Sequence, residues 1–283
     1  MRISPVFVGF LVACARFLYK ENKDIATAHH RIESDRIPKS FDGYKIIHVS
    51  DFHNSYFGRK SENLLRKIEE AEGDVIFFTG DIIDRRTPNL KRAVHFLNKM
   101  AEMLPTYYVT GNHEAHYKKY RKLHKEIEAS GVKNISRKRC RLYHGDEYIN
   151  LFGMEDLWFY GDENDPLVAD IFDKIIKKRM ISIGRDGDFT ILLSHRPELF
   201  EMYIRHPIDL VFSGHAHGGQ IRLPFVKALY SPQQGIFPKF TEGSHSKDGT
   251  TMFVSRGIGN SRFPFRVFNH PELIVVELKS TDH

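Results

Sequence analysis

Cysteine is almost missing from this chain of 283 residues: Cys14 and Cys140 are the only two. Two thiols cannot build a disulfide framework, so the fold must rest on a packed core. Internal repeats and low-complexity segments are missing too, which excludes solenoids, propeller arrays and fibrous chains. There is no acidic excess. Lys and Arg total 42 against 36 Asp and Glu, a net charge of +6. Such a surface favours acidic partners, such as phosphate esters, anionic lipid or nucleic acid, without choosing among them.

Long apolar runs are scarce. One stands out, Ile3 to Ala15, with Arg2 before it and Arg16, Lys20 and Lys23 after it. It falls short of the roughly 20 residues that span a bilayer. Extending it through Phe17-Leu18-Tyr19 carries Arg16 near the end, where it can snorkel. The run reads as a marginal membrane anchor, a signal-peptide core, or a helix packed on the domain that follows. The anchor is the preferred reading. It sets residues 1–24 apart as an anchor or signal-like segment and leaves 25–283 as one domain. The basic excess after the run puts the body of the protein on the cytoplasmic face of a membrane. Leu11-Val12-Ala13-Cys14 also looks like a bacterial lipoprotein cleavage box, and the alternative is an exported, lipid-anchored protein.

The whole chain is 41% hydrophobic, and the remainder is strongly patterned. Ile46-Ile47-His48-Val49 predicts a strand covered on both faces, ending in Ser50-Asp51-Phe52-His53. Asp51 and His53, two apart, can project toward one point beyond it. A helix follows from Ser61, a candidate cap, to Glu72, with Leu64, Leu65, Ile68 and Ala71 on one face. Val75 to Thr79 is a second strand, ending in Gly80-Asp81-Ile82-Ile83-Asp84-Arg85. A helix from Pro88 to Leu104 leads to a third strand, Thr106 to Thr110, and then Gly111-Asn112-His113-Glu114. Strand and helix alternate, so the sheet is parallel and ligands collect at its carboxyl ends.

Tyr117 to Ser130 is a basic helix whose lysines read first as a solvated face. The second half repeats the design loosely. A helix runs from Pro166 to Ile183. Phe189 to Ser194 ends in His195-Arg196-Pro197, and Ile208 to Ser213 ends in Gly214-His215-Ala216-His217-Gly218-Gly219-Gln220. Beyond Gln220 lies an aromatic, Pro-rich stretch that includes Pro224, Phe225 and Val226. Arg262, Phe263, Phe265 and Arg266 later mix basic and aromatic groups.

One such strand end is noise, but five in this order are specific. The set resembles the calcineurin-like metallophosphoesterases over Lys45 to Gln220. The apolar amino terminus and His217-Gly218-Gly219-Gln220 look like a membrane-associated bacterial branch that includes UDP-2,3-diacylglucosamine pyrophosphatase-like enzymes.

The resemblance implies two packed mixed sheets flanked by helices, a four-layer αββα sandwich. It implies two divalent ions, Mn, Fe or Zn, which suit mixed nitrogen and oxygen donors. Asp51, His53, Asp81 and His217 would hold one ion. Asp81, Asn112, His195 and His215 would hold the other, with Asp81 shared. A bridging hydroxide would attack phosphorus in line. His113 would protonate or stabilise the leaving oxygen, Asp84 would hold its ring and keep it charged, and Arg85 would bind phosphate. Glu114 reads as structural. Among the other histidines, His116 and His144 are the ones expected near the site. The expected substrate is a phosphoester, lipid-linked or envelope-related, met at a membrane surface. Nucleic acid is not expected, and oligomeric state stays open. The alternatives are a nuclease, a cyclic-nucleotide phosphodiesterase, and a non-enzymatic scaffold on the same fold.

Overall fold

In the strand Lys45–Val49, Ile46 faces one core and Ile47 and Val49 another, all fully buried. A strand buried on both faces needs cover on both, and that requirement sets the layers. The computed structural model describes residues 4–180, 188–223, 227–231, 233–261 and 263–281. In chain order its main strands are β1 (Ala26–Ser34), β2 (Lys45–Val49), β3 (Val75–Phe78), β4 (Thr106–Tyr108), β5 (Lys133–Asn134) and β6 (Arg139–His144). They continue as β7 (Glu147–Gly153), β8 (Thr190–Leu193), β9 (Leu210–Ser213), β10 (Gly243–Lys247), β11 (Thr250–Val254) and β12 (Glu272–Ser280). The helices are α1 (Pro5–Lys23), α2 (Glu62–Glu70), α3 (Leu90–Met103), α4 (Asn112–Ala115), α5 (Tyr120–Ala129), α6 (Pro166–Met180) and α7 (Phe200–Tyr203).

These strands form two 6-stranded sheets, ordered β1-β12-β2-β3-β4-β5 and β10-β11-β9-β8-β7-β6. In the first, β2 to β5 are parallel, and the closing strand β12 is antiparallel to β2 but parallel to β1. In the second, β7, β8, β9 and β11 are parallel, with antiparallel edges β6 and β10.

Ile46, Phe77 and Tyr107 of the first sheet meet Leu151, Ile191 and Phe212 of the second in the central layer. Outside the first sheet, Ile47, Val49 and Phe78 pack on Leu64 of α2, Phe96 of α3 and Leu123 of α5. Outside the second, Phe152, Leu192 and Val211 pack on Phe172 of α6 and Phe200 of α7. The result is the expected αββα sandwich of two mixed sheets.

Local details differ from the sequence pattern. Ser61 does not cap α2 through its side chain; it sits in left-handed backbone at φ 63°. Asn89, not Pro88, opens α3, and its side chain accepts a hydrogen bond from the Arg92 N–H at 3.0 Å. α6 runs to Met180, and its expected continuation to Ile183 lies outside the described residues, as do Pro224, Phe225, Val226 and Arg262. After Gln220 the chain makes two short hairpins, Arg222–Leu223 with Lys227–Ala228 and Tyr230–Ser231 with Gly235–Ile236. Among the described residues, no helix is long and apolar enough to cross a membrane.

Candidate metal centre

The loops that follow β2, β3, β4, β8 and β9 converge on one rim of the sandwich. They carry Asp51 and His53, Asp81 and Asp84, Asn112 and His113, His195, and His215 and His217. The strands stop short of these residues. β2 ends at Val49, and Asp51 and His53 sit beyond it with φ of 55° and 47°. The strand alternation expected to aim them therefore does not apply, and left-handed backbone aims them instead. Asp81, His215 and His217 share that conformation, at φ 58°, 67° and 49°. Each such residue costs on the order of 1–3 kcal/mol and persists where its surroundings over-determine it.

Two glycines allow the loops to close on one another. A Cβ on Gly111 would lie 2.3 Å from Asp81 Oδ1, and one on Gly214 would lie 1.9 Å from Ser50 Oγ. Each immediately precedes a ligand, Asn112 or His215, and tolerates no side chain.

The donor atoms fall into two groups. In one, Asp51 Oδ1 lies 3.3 Å from His217 Nε2 and 3.8 Å from His53 Nε2, and the two imidazole nitrogens are 3.0 Å apart. In the other, His195 Nε2 lies 3.3 Å from Asp81 Oδ2 and 3.1 Å from Asn112 Oδ1, and Asn112 Oδ1 is 3.0 Å from His215 Nδ1. Asp81 Oδ2 is also 3.5 Å from His53 Nε2, so it faces both groups. The structure thus brings all the expected ligand residues together. Asn112 is half-buried and the others are buried.

Tautomers decide what such a pocket can hold. His53 Nδ1 lies 3.3 Å from the Ile83 carbonyl, and His195 Nδ1 lies 2.6 Å from the Thr79 carbonyl. Each Nδ1 must donate, which turns the Nε2 lone pair inward. His215 is held the other way round. Its Nε2–H donates to Gln233 Oε1 at 2.6 Å and leaves Nδ1 facing Asn112. Buried lone pairs and carboxylate oxygens therefore face one another, and this mixed donor set fits divalent cations.

The electrostatics agree. Burial holds His217 down to about 3 and pushes His215 well below the usual imidazole range. At His195 burial pulls the pKa down, but the carboxylates of Asp81, Asp51 and Asp156 together outweigh it and lift the pKa to about 10. Burial would raise Asp51 and Asp81, but the facing imidazoles more than offset it and hold both carboxyls low. The two carboxylates demand positive charge from whatever fills the pocket.

His113 lines the cleft beside Asp84, which it shares with Arg86. The Asp84 carboxylate is 3.6 Å from His113 Nδ1 and is engaged by Arg86 at 3.0 and 2.8 Å. His113 Nδ1 instead accepts the Arg85 backbone N–H at 3.1 Å, which leaves the proton on Nε2. Burial pushes the His113 pKa to about 4, so the ring is neutral rather than charged. Arg85 lines the same cleft, a cavity of about 300 Å³, together with Arg86, Trp158 and Tyr230. Glu114 is structural as expected. Its carboxylate accepts the backbone N–H groups of Asp81 and Gly111 at 2.7 Å and of Ile83 at 3.3 Å. Burial, with Asp81 nearby, pushes it up to about 7. His116 reaches the cleft, its ring 4.1 Å from Trp158. His144 does not; it bonds the Ser40 carbonyl at 2.6 Å.

A brace behind the second group has little trace in the sequence. Arg196 is fully buried. It forks onto Asp156 at 2.6 and 2.9 Å, meets Glu163 at 2.6 Å, and places Nη1 3.4 Å from His215 Nε2. Gln233 completes the circuit by donating to Glu163 at 2.6 Å. The one signal was the position of Arg196 between a ligand and Pro197, at the end of a buried strand.

Comparison with known proteins gives a consistent picture. Residues 44–219 match the family described as calcineurin-like phosphoesterase. The chain is 31% identical over 271 residues to the uncharacterized metallophosphoesterase YkuE of Bacillus subtilis, covering 93% of this chain and 89% of that protein. It is 25% identical over 255 residues to a Danio rerio protein named transmembrane protein with metallophosphoesterase domain, covering 88% of this chain and 56% of that one. The crystal structure of TT1561 of Thermus thermophilus shares the fold, with a TM-score of 0.50 at 14% identity over 76% of this chain and 90% of that one.

Proposed function

This chain belongs to the calcineurin-like phosphoesterase family, and from that premise we propose that it hydrolyses a phosphoester or pyrophosphate bond of a lipid-linked or envelope-related substrate at a membrane surface. Asp51, His53, Asp81 and His217 would hold one divalent cation. Asp81, Asn112, His195 and His215 would hold the second. When bound, such a pair neutralises charge on the phosphoryl oxygens and makes water a competent nucleophile near neutral pH.

The chain's own residues do the rest. His113 carries its proton on Nε2 because Nδ1 accepts from Arg85, so it serves as a neutral donor to the leaving oxygen. Stabilisation of that oxygen suits this geometry better than full protonation. Arg86 is committed to Asp84, which leaves Arg85 as the arginine for a phosphoryl oxygen.

One observation carries the lipid-linked part. An apolar cavity of about 350 Å³, lined by Ile221, Leu229 and Phe263, shares Tyr230 and Ser261 with the metal cleft. A polar reaction site joined to an apolar one suits an amphiphilic substrate. The exposed apolar turns of α1 support a membrane setting with residues 1–24 as the anchor, and the basic residues after the run favour the cytoplasmic face for the domain. The name of the Danio rerio relative also joins a metallophosphoesterase domain to a membrane protein. A nuclease would need a basic groove leading to the metals. The basic groove of about 580 Å³ around Arg121, Lys125 and Lys138 shares no lining residue with the metal cleft.

The test is turnover with manganese on nucleotide-sugar lipids, phospholipids, cyclic nucleotides and a chromogenic phosphodiester. Preference for a lipid substrate supports the reading. Preference for cyclic nucleotides, or hydrolysis of DNA with binding that weakens steeply with salt, overturns it.

A further inference from the structure

α1 is two different helices along its length. Its first turns are apolar on every side and exposed, with Val6 at 82%, Phe10 at 62% and Val12 at 62%. A helix that is apolar all round belongs in an apolar surrounding. The apolar part, Val6 to Ala15, is about 15 Å long, half of a hydrocarbon core about 30 Å thick. Arg16 and Lys20 follow it at headgroup depth, matched to anionic lipid, while Lys23 turns back to the domain and donates to the Tyr56 carbonyl at 2.6 Å.

The last turn is bolted to the domain. Glu21 is buried; it accepts the Asn269 N–H at 2.8 Å and meets His270 at 3.3 Å. Asn22 Oδ1 accepts from the Arg266 N–H at 3.1 Å and from Asn260 at 2.8 Å. Phe17 packs edge-on against Phe268, centroids 5.4 Å apart. The segment thus gripped runs directly behind one half of the metal centre. Asn269 Nδ2 donates to the His217 carbonyl at 2.7 Å. The Ile258 N–H donates to the Ser50 carbonyl at 2.9 Å, and the Gly259 N–H donates to the Asp51 carbonyl at 2.6 Å. Arg266, also buried, donates to the carbonyls of Arg256 at 2.9 Å and Gly257 at 3.1 Å and stiffens the span between them.

We propose that α1 is a strut that seats in one leaflet of an anionic bilayer and, through Glu21 and Asn22, orders the loop that places Asp51 and His217. The proposal rests on the reading of this pocket as a cation site. An exposed apolar helix in water is a low-stability element, and a bilayer stabilises its docked form. Whatever orders α1 then strengthens the Asp51–His53–His217 side, and by linkage a cation there strengthens the hold on the membrane by the same factor.

The experiment uses the full chain, manganese alone, and vesicles of phosphatidylcholine with about one third phosphatidylglycerol. Calorimetry reads manganese affinity with and without vesicles, and flotation reads vesicle binding with and without manganese. The expected result is a gain of about tenfold in each direction, within the ordinary range of coupling between sites. Phe10→Asp should lose vesicle binding and keep its manganese affinity in solution. Glu21→Ala should keep both binding events and lose their coupling, with circular dichroism and the melting temperature confirming that it is folded. Asn22→Ala serves in its place if it is not. Vesicle binding without any change in manganese affinity overturns the strut while leaving membrane association intact. So does coupling that survives in both Glu21→Ala and Asn22→Ala. A wild-type chain that ignores vesicles and instead dimerises through α1 overturns both.

Discussion

The two sheets bring different chemistry to one pocket. Loops of the first supply the oxygens of Asp51, Asp81 and Asn112, with His53 as their nitrogen; loops of the second supply only the nitrogens of His195, His215 and His217. Their braces are also of opposite sign. Behind the first half stands a buried carboxylate, Glu114, which gathers backbone N–H groups from two neighbouring loops. Behind the second stands a buried guanidinium, Arg196, which gathers carboxylates. The difference is physical. The first half must position backbone carrying anionic ligands, and amide donors need an acceptor. The second must fix imidazole tautomers, and that takes partners at the far ring nitrogen.

Asp81 alone faces both donor groups, which each draw on the two sheets, so Asp81→Ala should have the largest effect. Both cations are lost and turnover falls to background, checked by metal analysis of the purified protein. Retention of one cation would show that the halves are independent and break the comparison. Next comes His113→Ala, which should keep both metals and lose about 10²–10⁴ in kcat. Unchanged kcat in the metal-loaded variant refutes its role as a donor.

The braces come third. Arg196→Met leaves Asp156 buried without a counter-charge and should cost about 3–5 kcal/mol in urea unfolding. Glu114→Gln keeps an acceptor oxygen and should cost about 1–3 kcal/mol. Equal costs would mean that the sign of the brace does not matter. Gln233→Ala frees the His215 tautomer and should weaken metal binding roughly tenfold by calorimetry while sparing stability.

At neutral pH the smallest effect is that of His48, in the core beneath both halves, and it shows as a pH dependence. Burial pushes His48 down to about 3, and its Nε2 is 2.7 Å from Thr79 Oγ1. The unfolded chain takes up that proton near pH 6.5 while the folded one resists it. Stability from this group is therefore complete above pH 6.5 and is lost as pH falls toward 3, at up to about 1.4 kcal/mol per pH unit. His48→Leu should flatten that slope in denaturant titrations at several pH values. An unchanged slope assigns the acid sensitivity to other groups.

Much of the site was legible in the sequence because its signals are short-range. Apolar periodicity marked the strands, and each strand end carried its ligands a few residues on. The glycines before Asn112 and His215 were visible as motif positions, although only the packed loops show the Asp81 and Ser50 atoms that forbid a side chain there. The competition of Arg86, next but one in the chain, for the Asp84 carboxylate was not legible, because it depends on side-chain geometry rather than on pattern. Arg196, Glu163 and Gln233 went unread because each acts through partners tens of residues away.

By itself the sequence determined, through local hydrophobic pattern and spacing, which residue types end which strands; the family resemblance of those strand ends implied the αββα layers and the donor set. Only the tertiary structure decided the left-handed backbone that aims Asp51 and His53, the tautomers of His53, His195 and His215, and the grip of α1 on the loop behind His217. Each of those depends on which carbonyl, carboxylate or amide the fold brings alongside, and no local pattern encodes a partner that lies far away along the chain.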